Sequence, residues 1–243
     1  MSRLAKAAPL ALLFLACGNA GAEPLVCADM ALVLAIDGSG SVTDAEYQFQ
    51  KSAFAAAFRD DGIKSVLREA GTVMLTAVFW GDGEFPTQNL DWFVVHRGTG
   101  ADTFADMVEI AERRVFGDTD IGSGLWVALD LLSEPKVCAR RSIINLSGDG
   151  RETVAPKRRQ RATLLQARQR AIRQGVTINA LAITSDDPDL RAYYARNVVR
   201  GTGGFTMEVE DPADYATAIR SKLLRELSPR YVASLAAVEP ARR

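Results

Sequence analysis

Asp37-Gly38-Ser39-Gly40-Ser41 places one carboxylate and two hydroxyls within five residues. The two glycines between them let the backbone turn sharply and bring both hydroxyls to one side. Two more polar loops carry the same kind of donor. Gly117-Asp118-Thr119-Asp120-Ile121-Gly122 offers Thr119 and two carboxylates, and Ser147-Gly148-Asp149-Gly150 offers Asp149. No histidine or cysteine cluster accompanies them. Carboxylates and hydroxyls are hard oxygen donors, suited to Mg²⁺, Mn²⁺ or Ca²⁺ and poorly suited to zinc or copper. Two carboxylates among neutral hydroxyls would leave such an ion under-neutralised and able to attract an anionic oxygen from outside, such as a partner's Asp or Glu.

The elements around these loops explain how they could meet. Met30–Ile36 is a continuous apolar run ending at Asp37, which reads as a strand buried on both faces. Thr43 or Asp44 then caps a helix over about 45–58, with Tyr47, Phe54 and Phe58 at helical spacing. Strands are predicted at 72–80, 92–96, 142–146, 177–183 and 205–209. Helices are predicted at 103–113, 125–132, 157–174, 189–198 and 211–227, with 117–124 as a loop and Gly175 as a C-cap. Alternating strands and helices, with several strands apolar throughout, predict a doubly wound α/β fold. Its sheet is mostly parallel, about six strands wide, with helices on both faces. In such sheets ligands bind beyond the carboxyl ends of the strands, and all three loops fall at or near that edge.

The three loops, in this order, resemble the parts of the metal-ion-dependent adhesion site of von Willebrand factor type A (vWA) domains. The matching pieces are Asp37-x-Ser39-x-Ser41 after the first strand, Thr119 in a Gly-x-Thr-x-Ile-Gly loop, and Asp149-Gly150 after an apolar strand. The match runs over about 28–227. The Ser-Gly-Asp-Gly third loop, Trp80 at the end of the second strand and the exported N-terminus are further similar to a bacterial family of exported vWA-like proteins of unknown function. The resemblance implies that Ser39, Ser41 and Thr119 contact the metal, that Asp37 and Asp149 act mostly through water, and that a partner's carboxylate completes the coordination of Mg²⁺ (Mn²⁺ and Ca²⁺ being alternatives). Trp80, Asp82 and Asp120 are candidates for the rim of the site. The third loop departs from the commoner Thr-Asp-Gly, so Asp149 rather than Ser147 carries the match. Asn145, polar within an apolar strand, has no explanation in the resemblance.

The N-terminus reads as a targeting segment. Arg3 and Lys6 precede an apolar stretch over 7–16, and Ala20-Gly21-Ala22 is a small-x-small cleavage site. The expected organisation is a signal peptide at 1–22, a vWA-like domain at 23–228 and a loosely held tail at 229–243, in the periplasm or outside the cell. Lipidation at Cys17 is an alternative, although Phe14 and Leu15 depart from the usual pattern before such a cysteine. No later stretch is apolar enough for a membrane span.

Cleavage leaves Cys27 and Cys138, an even count compatible with one disulfide or with two separate buried thiols. The vWA resemblance favours the bridge, since it places the first strand beside the strand that ends in the third loop, with one cysteine just before each. The closed loop of about 110 residues would stabilise by about 4–5 kcal/mol in the chain-entropy model.

The formal net charge is −1 over 243 residues; without Arg3 and Lys6, 27 basic residues face 30 acidic ones, giving −3. Nothing in that balance points to nucleic acid. Gly-x-Ser-x-Gly, Gly-x-x-x-x-Gly-Lys and Gly-x-Gly-x-x-Gly motifs are absent, which weighs against an enzyme. A metal-dependent phosphohydrolase using Asp37 is the alternative, though Ser39 stands where such enzymes place a second Asp. A structural domain whose metal only braces the loops is a third reading. The single histidine, His96, reads as a strand-end surface residue. The basic run between Arg151 and Arg173 reads as a solvated helix face, and Trp92 and Trp126 as packing residues.

Overall fold

The computed structural model describes residues 27–82, 87–153 and 160–228. The expected signal peptide, Cys17, the C-terminal tail, and Lys157, Arg158 and Arg159 of the basic run lie outside the described residues.

The chain runs β1 (Met30–Asp37), α1 (Asp44–Arg59), α2 (Asp61–Ala70), β2 (Thr72–Trp80), β3 (Gln88–Asn89), β4 (Phe93–His96), α3 (Ala101–Ile110), α4 (Ile121–Leu132), β5 (Ser142–Gly148), α5 (Leu164–Gln174), β6 (Thr177–Ile183), α6 (Leu190–Asn197), β7 (Thr206–Val209) and α7 (Tyr215–Leu227), the last preceded by a 3₁₀ turn at Pro212–Asp214. The strands form one mixed sheet in the order β3-β2-β1-β5-β6-β7, with β4 also pairing to β2. The β1, β2, β5, β6 and β7 pairings are parallel. β3 and β4 run antiparallel to β2, one against Val78 and Phe79 and the other against Thr72–Leu75. The seven strands therefore make a sheet six columns wide, its edge column broken into two short pieces.

β1 is central, and every one of its eight residues is buried. Alternate side chains supply two separate cores, as a strand's period of two requires. Leu32, Leu34 and Ile36 pack on one face with α1, α3 and α7 residues. Val33 and Ala35 pack on the other with Ile121, Leu125 and Tyr194. Helices thus cover both faces, which is why the parallel strands can be apolar throughout.

Several boundaries differ from the sequence reading. α2 was not anticipated. α4 begins at Ile121 rather than 125, because Asp120 caps it by accepting from Ser123 N at 3.0 Å. Its Gly122 and Gly124 signal a loop locally, yet a Cβ at Gly122 would meet the Ala162 carbonyl and Leu164 nitrogen at 2.6 Å, and one at Gly124 would meet Trp80 at 2.7 Å. Close packing, not a turn, requires those glycines. α5 begins at Leu164, where Thr163 and Gln166 form a capping box.

At the amino ends of β1 and β5, Cys27 and Cys138 are joined by a disulfide with their Cα atoms 4.7 Å apart. A bridge between Ala28 and Ala139 extends the β1–β5 pairing to this point. Among the described residues no helix is long and apolar enough to cross a membrane.

Candidate metal centre

β1 and β5 are parallel neighbours in register from Ala31–Ser142 to Ile36–Ser147, so their carboxyl ends deliver Asp37 and Asp149 to the same edge. The loop before α4 reaches the same place through its backbone: Gly40 N donates to Gly117 O at 2.6 Å, and Thr153 N donates to Thr119 O at 2.9 Å. The five residues singled out by spacing converge there. Ser39 N donates to Asp37 Oδ1 at 2.8 Å. Ser39 Oγ and Ser41 Oγ are 3.2 Å apart. Ser41 Oγ donates to Asp149 Oδ1 at 2.9 Å, and Thr119 Oγ1 lies 3.5 Å from Ser39 Oγ.

Burial grades the site. Asp37 and Ser39 are fully buried at its floor, Thr119 and Asp149 are half-buried, and Ser41 is exposed at its mouth. Asp37 Oδ2 is a buried carboxylate oxygen with no hydrogen-bond partner. Leaving such an atom unpaired is costly unless something outside the protein satisfies it. Burial, reinforced by the nearby Asp149 charge, raises the Asp37 carboxyl from its ordinary 3.8 to about 7. Burial also raises Asp149, against the opposing hydrogen bond from Ser41. The arrangement holds negative charge that its surroundings do not neutralise, with three hydroxyls at its side. A hard divalent cation fits this donor set. Among the described residues no group of three or more His, Cys, Asp or Glu is placed to hold a metal, so any metal here would depend on the hydroxyls.

Glycine makes room for the floor. A Cβ at Gly148 would stand 2.8 Å from Asp37 Oδ2 and 2.7 Å from the Tyr194 hydroxyl. A Cβ at Gly150 would stand 3.1 Å from Thr119 Oγ1.

The expected rim is corrected in two places. Trp80 is fully buried and packs beneath the site, against Gly124 and near Gly148. Asp120 is fully buried, with both oxygens engaged by Ser123, so its role is to cap α4. Asp82 N donates at 2.9 Å to the main-chain oxygen of Phe116, the residue just before the second loop.

Two residues that shape the site carry no signal in the local sequence. Arg113 donates to the main-chain oxygens of Gly38, Ser39 and Val42 at 3.1, 2.9 and 2.8 Å and to Asp44 Oδ1 at 2.8 Å. One guanidinium thus fixes the whole turn of the first loop. The buried Tyr194 donates to Gly150 O at 2.9 Å and fixes the third. Both contacts span long stretches of chain, and only the fold makes them.

Among solved structures the chain resembles a von Willebrand factor type A protein from Catenulispora acidiphila (18% identity, TM-score 0.57, covering 83% of this chain and 43% of that one). It also resembles the vWF domain of the type V pili tip protein Mfa5 from Porphyromonas gingivalis (14%, 0.55, 90% and 99%). A third is proximal thread matrix protein 1 from the mussel byssus, solved with a zinc-occupied MIDAS motif (13%, 0.56, 83% and 46%). The chain spans less than half the length of the Catenulispora and mussel chains. The shared property is the vWA fold. No curated protein matches in sequence. A sequence profile described as a protein of unknown function, DUF1194, matches residues 26–231, and the chain belongs to that family.

Proposed function

We propose that this chain is an exported protein-binding module whose grip depends on a divalent cation held by Ser39, Ser41 and Thr119, with Asp37 and Asp149 supplying charge behind them. The observation that carries the reading is the buried, unpartnered Asp37 Oδ2 beneath a cluster of hydroxyls. Mg²⁺ suits these donors best, since a small, hard ion keeps several waters and needs few protein carboxylates. An ion so held keeps positive charge, which a partner's Asp or Glu would meet. Beside Asp149 a groove of mixed character, with Phe49, Ile183 and Pro212 beside Glu46, Gln50 and Asp186, offers surface for the rest of that partner. Pilus proteins among the structural relatives are in keeping with binding rather than catalysis. The disulfide is in keeping with an oxidising compartment. The phosphohydrolase reading has less support, because Asp37 is fully buried and a nucleophile must be open to in-line attack.

The test is calorimetric titration of the metal-stripped mature protein with Mg²⁺, Mn²⁺ and Ca²⁺, beside Asp37→Ala and Thr119→Ala. One-to-one binding by the wild type, at least tenfold weaker in both variants, is the expected result. A folded wild type that takes up none of the three ions ends the proposal.

A further inference from the structure

At the end of the sheet opposite the three loops, a cavity of about 190 Å³ opens between the starts of β5 and β6, the segment before β7 and the last turn of α7. Its lining includes Arg140, Arg141 and Arg225, with Thr177, Asn179 and Phe205. The one carboxylate in the wall, Glu226, is already saturated. It accepts from Asn145 Nδ2 at 2.6 Å, Asn179 Nδ2 at 3.0 Å and the buried Lys222 Nζ at 2.9 Å. Lys222 offsets its charge, Arg140 pairs with Asp29 Oδ1 at 3.4 Å, and the half-buried Arg141 adds a positive charge to the wall.

Arg141 is half-buried, and it donates to a neutral acceptor, the main-chain oxygen of Glu226, at 3.1 Å. No carboxylate pairs with it among the described residues. Burial pushes this guanidinium below its ordinary value, with only the Glu226 charge opposing. A charge withdrawn from water without an ion partner is costly, and a ligand anion would remove that cost. Arg225 lies over the Phe205 ring at 3.7 Å, which holds its planar group in place.

The main chain here is also fixed in advance. The Cys27–Cys138 bond, Ala28 N to Cys138 O at 2.8 Å, Arg140 N to Ala28 O at 2.9 Å and Ala31 N to Arg141 O at 2.8 Å pin the segment carrying the two arginines. A site ordered before binding loses less entropy on binding.

We propose that this cavity binds a small organic anion, a carboxylate or phosphate group on a body of a few carbons, gripped by Arg141 and Arg225. The volume is below the ~300–1,000 Å³ of drug-sized pockets, which limits the body to that scale. Planar guanidinium groups match both oxyanions, so the two sources share one chemistry.

The experiment titrates the metal-free, disulfide-intact mature protein with succinate and with inorganic phosphate, at constant ionic strength set by NaCl. Calorimetry and amide chemical shifts are the readouts. The expected result is saturable one-to-one binding of at least one anion, the tighter naming the group. Shifts should centre on Thr177, Asn179 and Phe205. Binding should weaken at least tenfold in Arg141→Ala, less in Arg141→Lys, and stay unchanged in Asp37→Ala. Wild-type shifts centred elsewhere, or no binding beyond NaCl, would overturn the proposal without reference to any variant. So would a folded Arg141→Ala with wild-type affinity.

Discussion

Asp37 sits where two demands conflict. Its Oδ1 accepts from Ser39 N and helps set the turn, while Oδ2 is buried with nothing to accept from. The carboxyl, raised to about 7, binds its proton more tightly in the folded chain than in the unfolded one, where it titrates near 3.8. Its contribution to the stability of the metal-free fold is therefore largest at low pH. It falls as pH rises from about 4 to about 7, and is flat above. Between pH 5 and 8 in a chelator, the wild-type melting temperature should drop relative to Asp37→Asn, and Mg²⁺ should restore it most at the upper end. Parallel melting curves for the two proteins across that window would contradict this account. Gly148 tests the same floor sterically. Alanine there would push against Asp37 Oδ2 and the Tyr194 hydroxyl at once, an overpacking that costs about 1–3 kcal/mol in a tight interior. Gly148→Ala is expected to fold, melt lower and bind Mg²⁺ at least tenfold more weakly, as read by calorimetry. Wild-type affinity in this variant would mean that the position of Asp37 does not matter.

α7 is attached to the sheet by more than apolar contact. Lys222 and Glu226, both fully buried, pair one turn apart, and Glu226 reaches Asn145 on β5 and Asn179 on β6. Burial lowers the Lys222 ammonium to about 8, with Glu226 opposing the shift. Removing one member of such a pair strands the other charge. Lys222→Met should therefore cost about 3–5 kcal/mol in urea unfolding, and adding Glu226→Gln should recover at least half of that. A single-variant loss below about 1 kcal/mol would show that water or movement relieves the stranded carboxylate.

This network also explains Asn145, which the strand's apolar pattern could not. Its partner lies 81 residues away. The same distinction separates what the sequence makes legible at this scale from what it does not. β1, β2 and β6 are long apolar runs and are legible to within a residue. The five converging residues are legible because Asp37 ends β1 with Ser39 and Ser41 just after it, Asp149 follows β5 directly, and Thr119 stands two residues before α4. β3 is two polar residues whose pairing with β2 alone makes them a strand. α2 does carry Ile63, Val66, Leu67 and Ala70 at helical spacing, but over only ten residues that follow α1 after the single residue Asp60. Arg113 braces carbonyls more than seventy residues earlier in the chain, so no local pattern marks it.

Across the whole molecule, β1 and β5 connect two chemically different ends. The disulfide clamps their amino ends, and Asp37 and Asp149 follow from their carboxyl ends, with register kept from Ala31–Ser142 to Ile36–Ser147 between. Closing a loop with a sequence separation of 111 restricts chiefly the unfolded chain, a stabilisation of about 4–5 kcal/mol in the entropic description. The folded pairing does not depend on it, because β1 lies between β2 and β5 with both neighbours hydrogen-bonded along its length. Reduction should then separate stability from metal binding. With the disulfide reduced, or in Cys27→Ala/Cys138→Ala, urea unfolding should lose about 4 kcal/mol. The Mg²⁺ dissociation constant of the still-folded protein should change by less than about threefold. The Arg140–Arg141 segment sits beside the clamp and should feel its loss, so anion binding there should weaken more than metal binding does. A reduced protein that folds but loses its metal affinity would mean that strain at one end of the strand pair reaches the other. β1 and β5 would then transmit movement through the sheet instead of standing as its fixed centre.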